Sequence, residues 1–83
     1  MKKIEPERLA ELRALIDVRR NDNVPSVAVF RELAEHHGAS HRHASGTEHL
    51  RIAGIAVSCT AGGWNLLSAW QRKAADAIER SAA

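Results

Sequence analysis

Five histidines, a single cysteine and a glycine pair are the places where this 83-residue chain could do chemistry. In an extended segment His41 and His43 project to one face, where a metal-ligand pair would start, and His37 approaches them from a helix end. A structural zinc takes four ligands, usually with cysteines among them, and Cys59 has no partner cysteine. No His-Glu-x-x-His run is present. The histidines His36, His37, His41, His43 and His49 therefore read as a polar loop and a solvated strand face, with no metal and no other cofactor. The alternative is a contact surface. Cys59 has no cation beside it in sequence to activate a thiolate, so it reads as a small buried apolar side chain. Nucleophilic catalysis needs a nucleophile, a base and an orienting group. Cys59 with His49 is the one conceivable start, and no serine sits in a Gly-x-Ser-x-Gly elbow. The chain is expected not to be an enzyme.

Binding chemistry is better represented. Thr60-Ala61-Gly62-Gly63 opens a helix, where backbone N–H groups can hold an anion. It lacks the lysine and spacing of a P-loop. A tight strand-to-helix turn and a phosphate or carboxylate contact both remain open there. Twelve basic side chains are interleaved with ten acidic ones for a net charge of +2, so only a local patch can serve as an electrostatic contact. Lys2, Lys3, Arg8, Arg13, Arg31 and Arg80 read as solvated helix or terminal charges. Arg42 and Arg51 are the least neutralised, in company with His41, His43 and His49. Arg19 with Arg20, and Arg72 with Lys73, are two further basic spots. Trp64, at a helix start beside the glycine pair, fits either an interface anchor or a lid over a hairpin end. Trp70 falls in a core stripe. The candidate contact surface is Arg42, Arg51, Arg72, Lys73, Trp64, His41 and His43.

The elements that position these residues follow from periodicity. Residues 6–20 predict a helix: Pro6 suits its first turn, Glu5, Glu7 and Glu11 its positive end, Arg19 and Arg20 its negative end, and Leu9, Leu12 and Ile16, with Leu15 beside them, one stripe. The cluster Arg20-Asn21-Asp22-Asn23 is a turn. Residues 26–37 predict a second helix with Val27, Phe30, Leu33 and Ala34 on its apolar face, stopped by Gly38. The run Val-Ala-Val-Phe also fits a strand, and the continuation Arg31-Glu32-Leu33-Ala34-Glu35 favours the helix. Residues 41–60 then alternate. Ser45-Gly46-Thr47 is a turn signal. Leu50 and Ile52 lie on one phase of a two-residue period and Ile55, Val57 and Cys59 on the other, so the chain turns or bulges at Ala53-Gly54. A turn would match Ile52 with Ile55 and Leu50 with Val57. His49, Arg51, Ala56 and Ser58 would then face the other way, which separates Cys59 from His49. Residues 63–80 predict a last helix with the stripe Leu67, Trp70, Ala74, Ala77 and Ile78, supported by Arg72–Asp76 and Asp76–Arg80 pairs and fraying at Ser81-Ala82-Ala83.

The expected fold class is α+β in a single domain covering residues 1–83: two N-terminal helices, a short antiparallel sheet of two or three strands, and a C-terminal helix packed on that sheet. The start, Met1-Lys2-Lys3-Ile4-Glu5-Pro6, has two lysines without an apolar stretch behind them and does not read as a signal peptide. No run is apolar enough to span a bilayer, and the cytoplasm of a bacterial host is the expected location. The segment from Phe30 to Ser40 has the Ala34 and Gly38 spacing of the first helix and turn of a helix-turn-helix. The segment after it puts Gly46 mid-helix and offers no large apolar residue to pack.

The stretch Leu50-Arg51-Ile52-Ala53-Gly54-Ile55-Ala56-Val57-Ser58-Cys59-Thr60, followed by the glycine pair and by Trp70-Gln71-Arg72-Lys73-Ala74-Ala75, resembles small accessory proteins of bacterial phages and prophages of the anti-CRISPR type. The resemblance covers the C-terminal half of the chain. That group shares no common fold or signature, so it implies no functional residue. It implies a non-enzymatic inhibitor whose partner is a protein complex of the bacterial host, a CRISPR effector, blocked sterically against DNA entry or nuclease recruitment. Direct nucleic-acid contact would be secondary, no membrane would be involved, and the chain would be a monomer or homodimer. The alternatives are a small DNA-binding regulator using residues 26–50 and an oligomeric phage or toxin–antitoxin accessory protein.

Overall fold

A computed structural model describes residues 5–82. Lys2 and Lys3, counted above among the basic residues, lie outside the described residues, as does Ala83. The element order is α1 (Pro6–Asn21), α2 (Ser26–His36), β1 (Ser40–Ala44), β2 (Thr47–Ile52), β3 (Ile55–Cys59) and α3 (Gly63–Ala82). The fold is α+β, with an antiparallel sheet in the order β1-β2-β3 and α3 packed on it.

Both hairpins are as tight as a hairpin can be. Ser45 and Gly46 have φ of 52° and 78°, and Ala53 and Gly54 have φ of 52° and 83°. Positive φ at both central residues defines a type I′ turn, whose twist matches that of the flanking strands. The phase slip at Ala53-Gly54 is therefore a turn and not a bulge. Ile52 pairs with Ile55 and Leu50 with Val57. In the first hairpin Ala44 pairs with Thr47, Arg42 with His49 and Ser40 with Arg51.

All three helices lie on one side of the sheet. Leu50, Ile52 and Ile55 are buried against them, together with Leu9, Leu12 and Ile16 of α1, Val29, Phe30 and Leu33 of α2, and Leu66, Leu67, Trp70 and Ala74 of α3. Trp70 is fully buried and its Nε1 donates to the Ile55 carbonyl at 3.2 Å, which ties α3 to the sheet. α3 is the central helix, contacting the sheet, α1 and α2. Three sides of it are covered, so its buried surface is wider than a single stripe and takes in Leu66 and Gln71 as well.

The α2 face differs from its sequence reading. Val29 is buried, while Val27 is 65% exposed and Ala34 is exposed. Phe30 and Leu33 are common to both faces. The helix is rotated so that Phe30 lies over β1, which moves Val27 and Ala34 to the outer side. The end of α2 is closed where the N–H groups of His37 and Ala39 both return to the Leu33 carbonyl. The segment that would have formed the second helix of a helix-turn-helix is β1 and β2, so that motif is not present. On α3, Arg80 pairs with Asp76 at 2.9 Å. The expected Arg72–Asp76 pair is not among the ion pairs of the described residues. The helix continues to Ala82, past the Arg80 end read from the sequence.

Polar ties hold the helices to one another. Gln71, 8% exposed, donates to the Arg13 carbonyl and to Asp17 Oδ1 at 3.1 and 2.9 Å and accepts from Arg20 Nη2 at 2.6 Å. This satisfies a buried amide whose neglect would cost about 1–3 kcal/mol. Arg19 forms a two-pronged pair with Glu32, both contacts at 2.8 Å, joining α1 to α2. The hydrogen bond from Arg19 holds the Glu32 carboxyl below its ordinary pKa, and the same bond raises that of Arg19. No helix among the described residues is long and apolar enough to cross a membrane.

Candidate interface on the open sheet face

Strand alternation sorts the candidate residues before any side chain is placed. Directly paired residues of an antiparallel sheet share a face. His41, Leu50 and Val57 form one such row, and His43, Glu48 and Cys59 another, both on the helix side. Arg42, His49 and Ser58 form a row on the opposite side, followed by Ser40, Arg51 and Ala56. That side is uncovered. Ser40, Arg42, Arg51, Ala56 and Ser58 are exposed and His49 is partly so.

The uncovered face carries no carboxylate, and among the described residues neither Arg42 nor Arg51 has a salt-bridge partner. Paired side chains on one face stand about 5 Å apart and diagonal ones about 7–8 Å apart. Arg42, His49 and Arg51 thus form a compact basic cluster, with the Ser40 and Ser58 hydroxyls beside it. Lys73 reaches round from α3 to the β3 edge, where its Nζ donates to the Ala56 carbonyl at 2.8 Å. Together these residues line a shallow concavity. The arrangement can bind an anionic surface. Cys59 and His49 project to opposite faces of the sheet and do not meet.

The remaining candidates are placed elsewhere. His41 stacks on Phe30, with ring centroids 4.0 Å apart and planes within 8°, and its Nε2 lies 3.2 Å from Glu48 Oε1. It supports the fold from the helix side and does not join Arg42. His43 is exposed on that same side. Trp64 faces α1, where the Arg20 guanidinium lies 5.0 Å from the ring centroid, and Arg20 itself is held by Asp17, Ser68 and Gln71. The Trp64 ring is a helix–helix contact, away from the sheet face. Arg72 is exposed on the outer side of α3 and does not line the concavity. Of the seven candidates, Arg42, Arg51 and Lys73 come together. Among the described residues no three His, Cys, Asp or Glu side chains converge as metal ligands would.

Glu48 is the residue that sequence reasoning missed. Its Oε2 accepts from the Gly63 N–H at 3.2 Å, at the first turn of α3. A carboxylate there is favoured by the helix dipole. Gly62 has φ of 64°, and a Cβ at that position would run into the Glu48 carboxyl. The anion site read at Thr60-Ala61-Gly62-Gly63 is real in its geometry, but the chain fills it with its own carboxylate. The signal for this lay in the register, since Glu48 pairs with Cys59 and so falls beside the turn that follows β3.

Compared with known protein families, curated proteins and solved structures, the chain matches none. The functional reading therefore rests on the geometry of the open face.

Proposed function

We propose that this chain is a non-catalytic binding module of phage or prophage type that inhibits a bacterial CRISPR effector complex by laying its open sheet face on an acidic protein surface of that complex. One observation carries the reading: the face the helices leave bare holds Arg42, His49 and Arg51 without a single carboxylate, in a chain whose other charges are largely interleaved. The mechanism is steric. A small rigid body seated on such a surface blocks DNA entry or nuclease recruitment.

A protein partner is favoured over single-stranded nucleic acid. Sheets that bind single strands present several base-stacking aromatic side chains, and this face carries no Phe, Tyr or Trp and only the His49 ring. Contacts from Arg42 and Arg51 to phosphates would position a nucleic acid without reading its sequence.

The test is retention of a purified CRISPR effector complex on the tagged chain at micromolar concentration. Retention by the wild type and its loss in an Arg42→Glu, Arg51→Glu double variant is the expected result. No retention of any effector by the folded wild type overturns the proposal. DNA affinity that falls steeply with added salt, with no effector retained, would transfer the face to nucleic acid.

A further inference from the structure

We propose that the free edge of β1 is a strand-docking site for an extended acidic segment of a partner protein. The argument is separate from that for the open face, since it concerns the backbone edge of the sheet. In an antiparallel ladder, residues alternate between pairs that exchange hydrogen bonds and pairs that do not. The type I′ turn at Ser45-Gly46 makes Ala44–Thr47 the first bonded pair, so Arg42 and Ser40 also bond inward, and the N–H and C=O groups of His41 and His43 point outward. The same count on β3 turns the Ala56 groups outward, and there the Ala56 carbonyl is taken by Lys73 at 2.8 Å. The β3 edge is thus blunted at Ala56 by a lysine, one of the ways proteins protect a sheet edge. Among the described residues no hydrogen bond occupies the outward groups of His41 or His43.

Charge selects the occupant. β1 reads Ser-His-Arg-His-Ala, with no acid. A second copy pairing antiparallel through both outward residues would set Arg42 opposite its own counterpart, and like charges directly opposite are destabilising. A segment with a glutamate or aspartate opposite Arg42 reverses that sign. A phosphodiester backbone has acceptors only and would leave the His41 and His43 carbonyls unpaired. A peptide strand offers both donors and acceptors at the ladder spacing, as in strand-addition recognition.

The probe is a short blocked peptide of alternating Glu and Val, with a Lys–Val peptide as its control. The acidic peptide is expected to slow amide exchange at His41 and His43 and to leave Ala56 unaffected. Arg42→Glu keeps the backbone edge and should reverse the preference toward the Lys–Val peptide, by about tenfold in each direction. His43→Pro deletes one outward N–H at an edge position where proline is tolerated, and should weaken docking with the fold intact by circular dichroism. Arg51→Ala, a row away on the open face, puts no acid beside Arg42 and should leave the Glu–Val over Lys–Val preference in place, which separates this site from the one proposed for the effector. No protection of His41 and His43 by the acidic peptide, or no change of preference in Arg42→Glu, overturns the proposal. Protection that depends on protein concentration alone, with a dimer in sedimentation, overturns it in favour of a second copy.

Discussion

At the residue scale, His41 and the glycine pair, which looked chemically active, are spent on structure. His41 is a stacking plate for Phe30 and a partner for Glu48, and Glu48 in turn holds the start of α3. Gly62→Ala should therefore be costly twice over, through a positive φ that a Cβ disfavours by about 1–2 kcal/mol and through collision with the Glu48 carboxyl. Its destabilisation by urea should shrink measurably in a Glu48→Ala background, because the two residues share one contact. Equal cost in both backgrounds would contradict the placement of Glu48. The Arg19–Glu32 pair gives a pH prediction. Glu32 is held below its ordinary pKa by its bond to Arg19, so the unfolded chain takes up protons first as acid is added. The pair's contribution is present above the unfolded carboxyl pKa of about 4.3 and is lost as pH falls through the lower folded value. Glu32→Gln should flatten the stability curve below about pH 5, read by thermal melts across pH.

At the element scale, the sheet owes its register to two type I′ turns, and both put a residue other than glycine at positive φ, Ser45 and Ala53. Asparagine before glycine is the preferred pair for this turn. Ala53→Asn should stabilise the domain by about 1 kcal/mol, equivalent to a rise of roughly 4–8 °C in Tm for a domain this small. A fall in Tm would mean that the β2–β3 turn has another geometry. The alternation of residues 48–60 was enough to predict the inward and outward sets and a turn or bulge at Ala53-Gly54, because a strand's facing is a local property with a period of two, and the structure chose the turn. The face of α2 was not legible in the same way. A helix turns about 100° per residue, so Val27 and Val29 both flank Phe30, and only docking on β1 chose between them.

At the scale of the whole molecule, the helices crowd one side of the sheet and leave the other bare. The proposed function depends on that bare side, so reversing Arg42 and Arg51 together should abolish partner retention while leaving the Tm within a few degrees of the wild type. Surface changes away from packed or paired groups usually stay within about 0.5 kcal/mol. A large loss of Tm in that double variant would mean that the face is structural. The seven candidate residues chosen from sequence divide across this architecture. Arg42, Arg51 and Lys73 share one concavity, whereas Trp64 joins a helix seam, Arg72 faces outward from α3, and His41 and His43 lie on the covered side of the sheet.

What the chain determined by local means is the set of elements and, α2 apart, their apolar faces: three helices, the alternating strands, the α+β class and the burial of Trp70. These are written in spacings of two and of three to four residues, which need no knowledge of distant partners. The tertiary structure alone decided which carboxylate would fill the glycine turn, which basic residues would stand together and which strand edge would stay free. Each of those depends on contacts between segments far apart in sequence, such as Glu48 with Gly63 and Lys73 with Ala56, and no local periodicity encodes them.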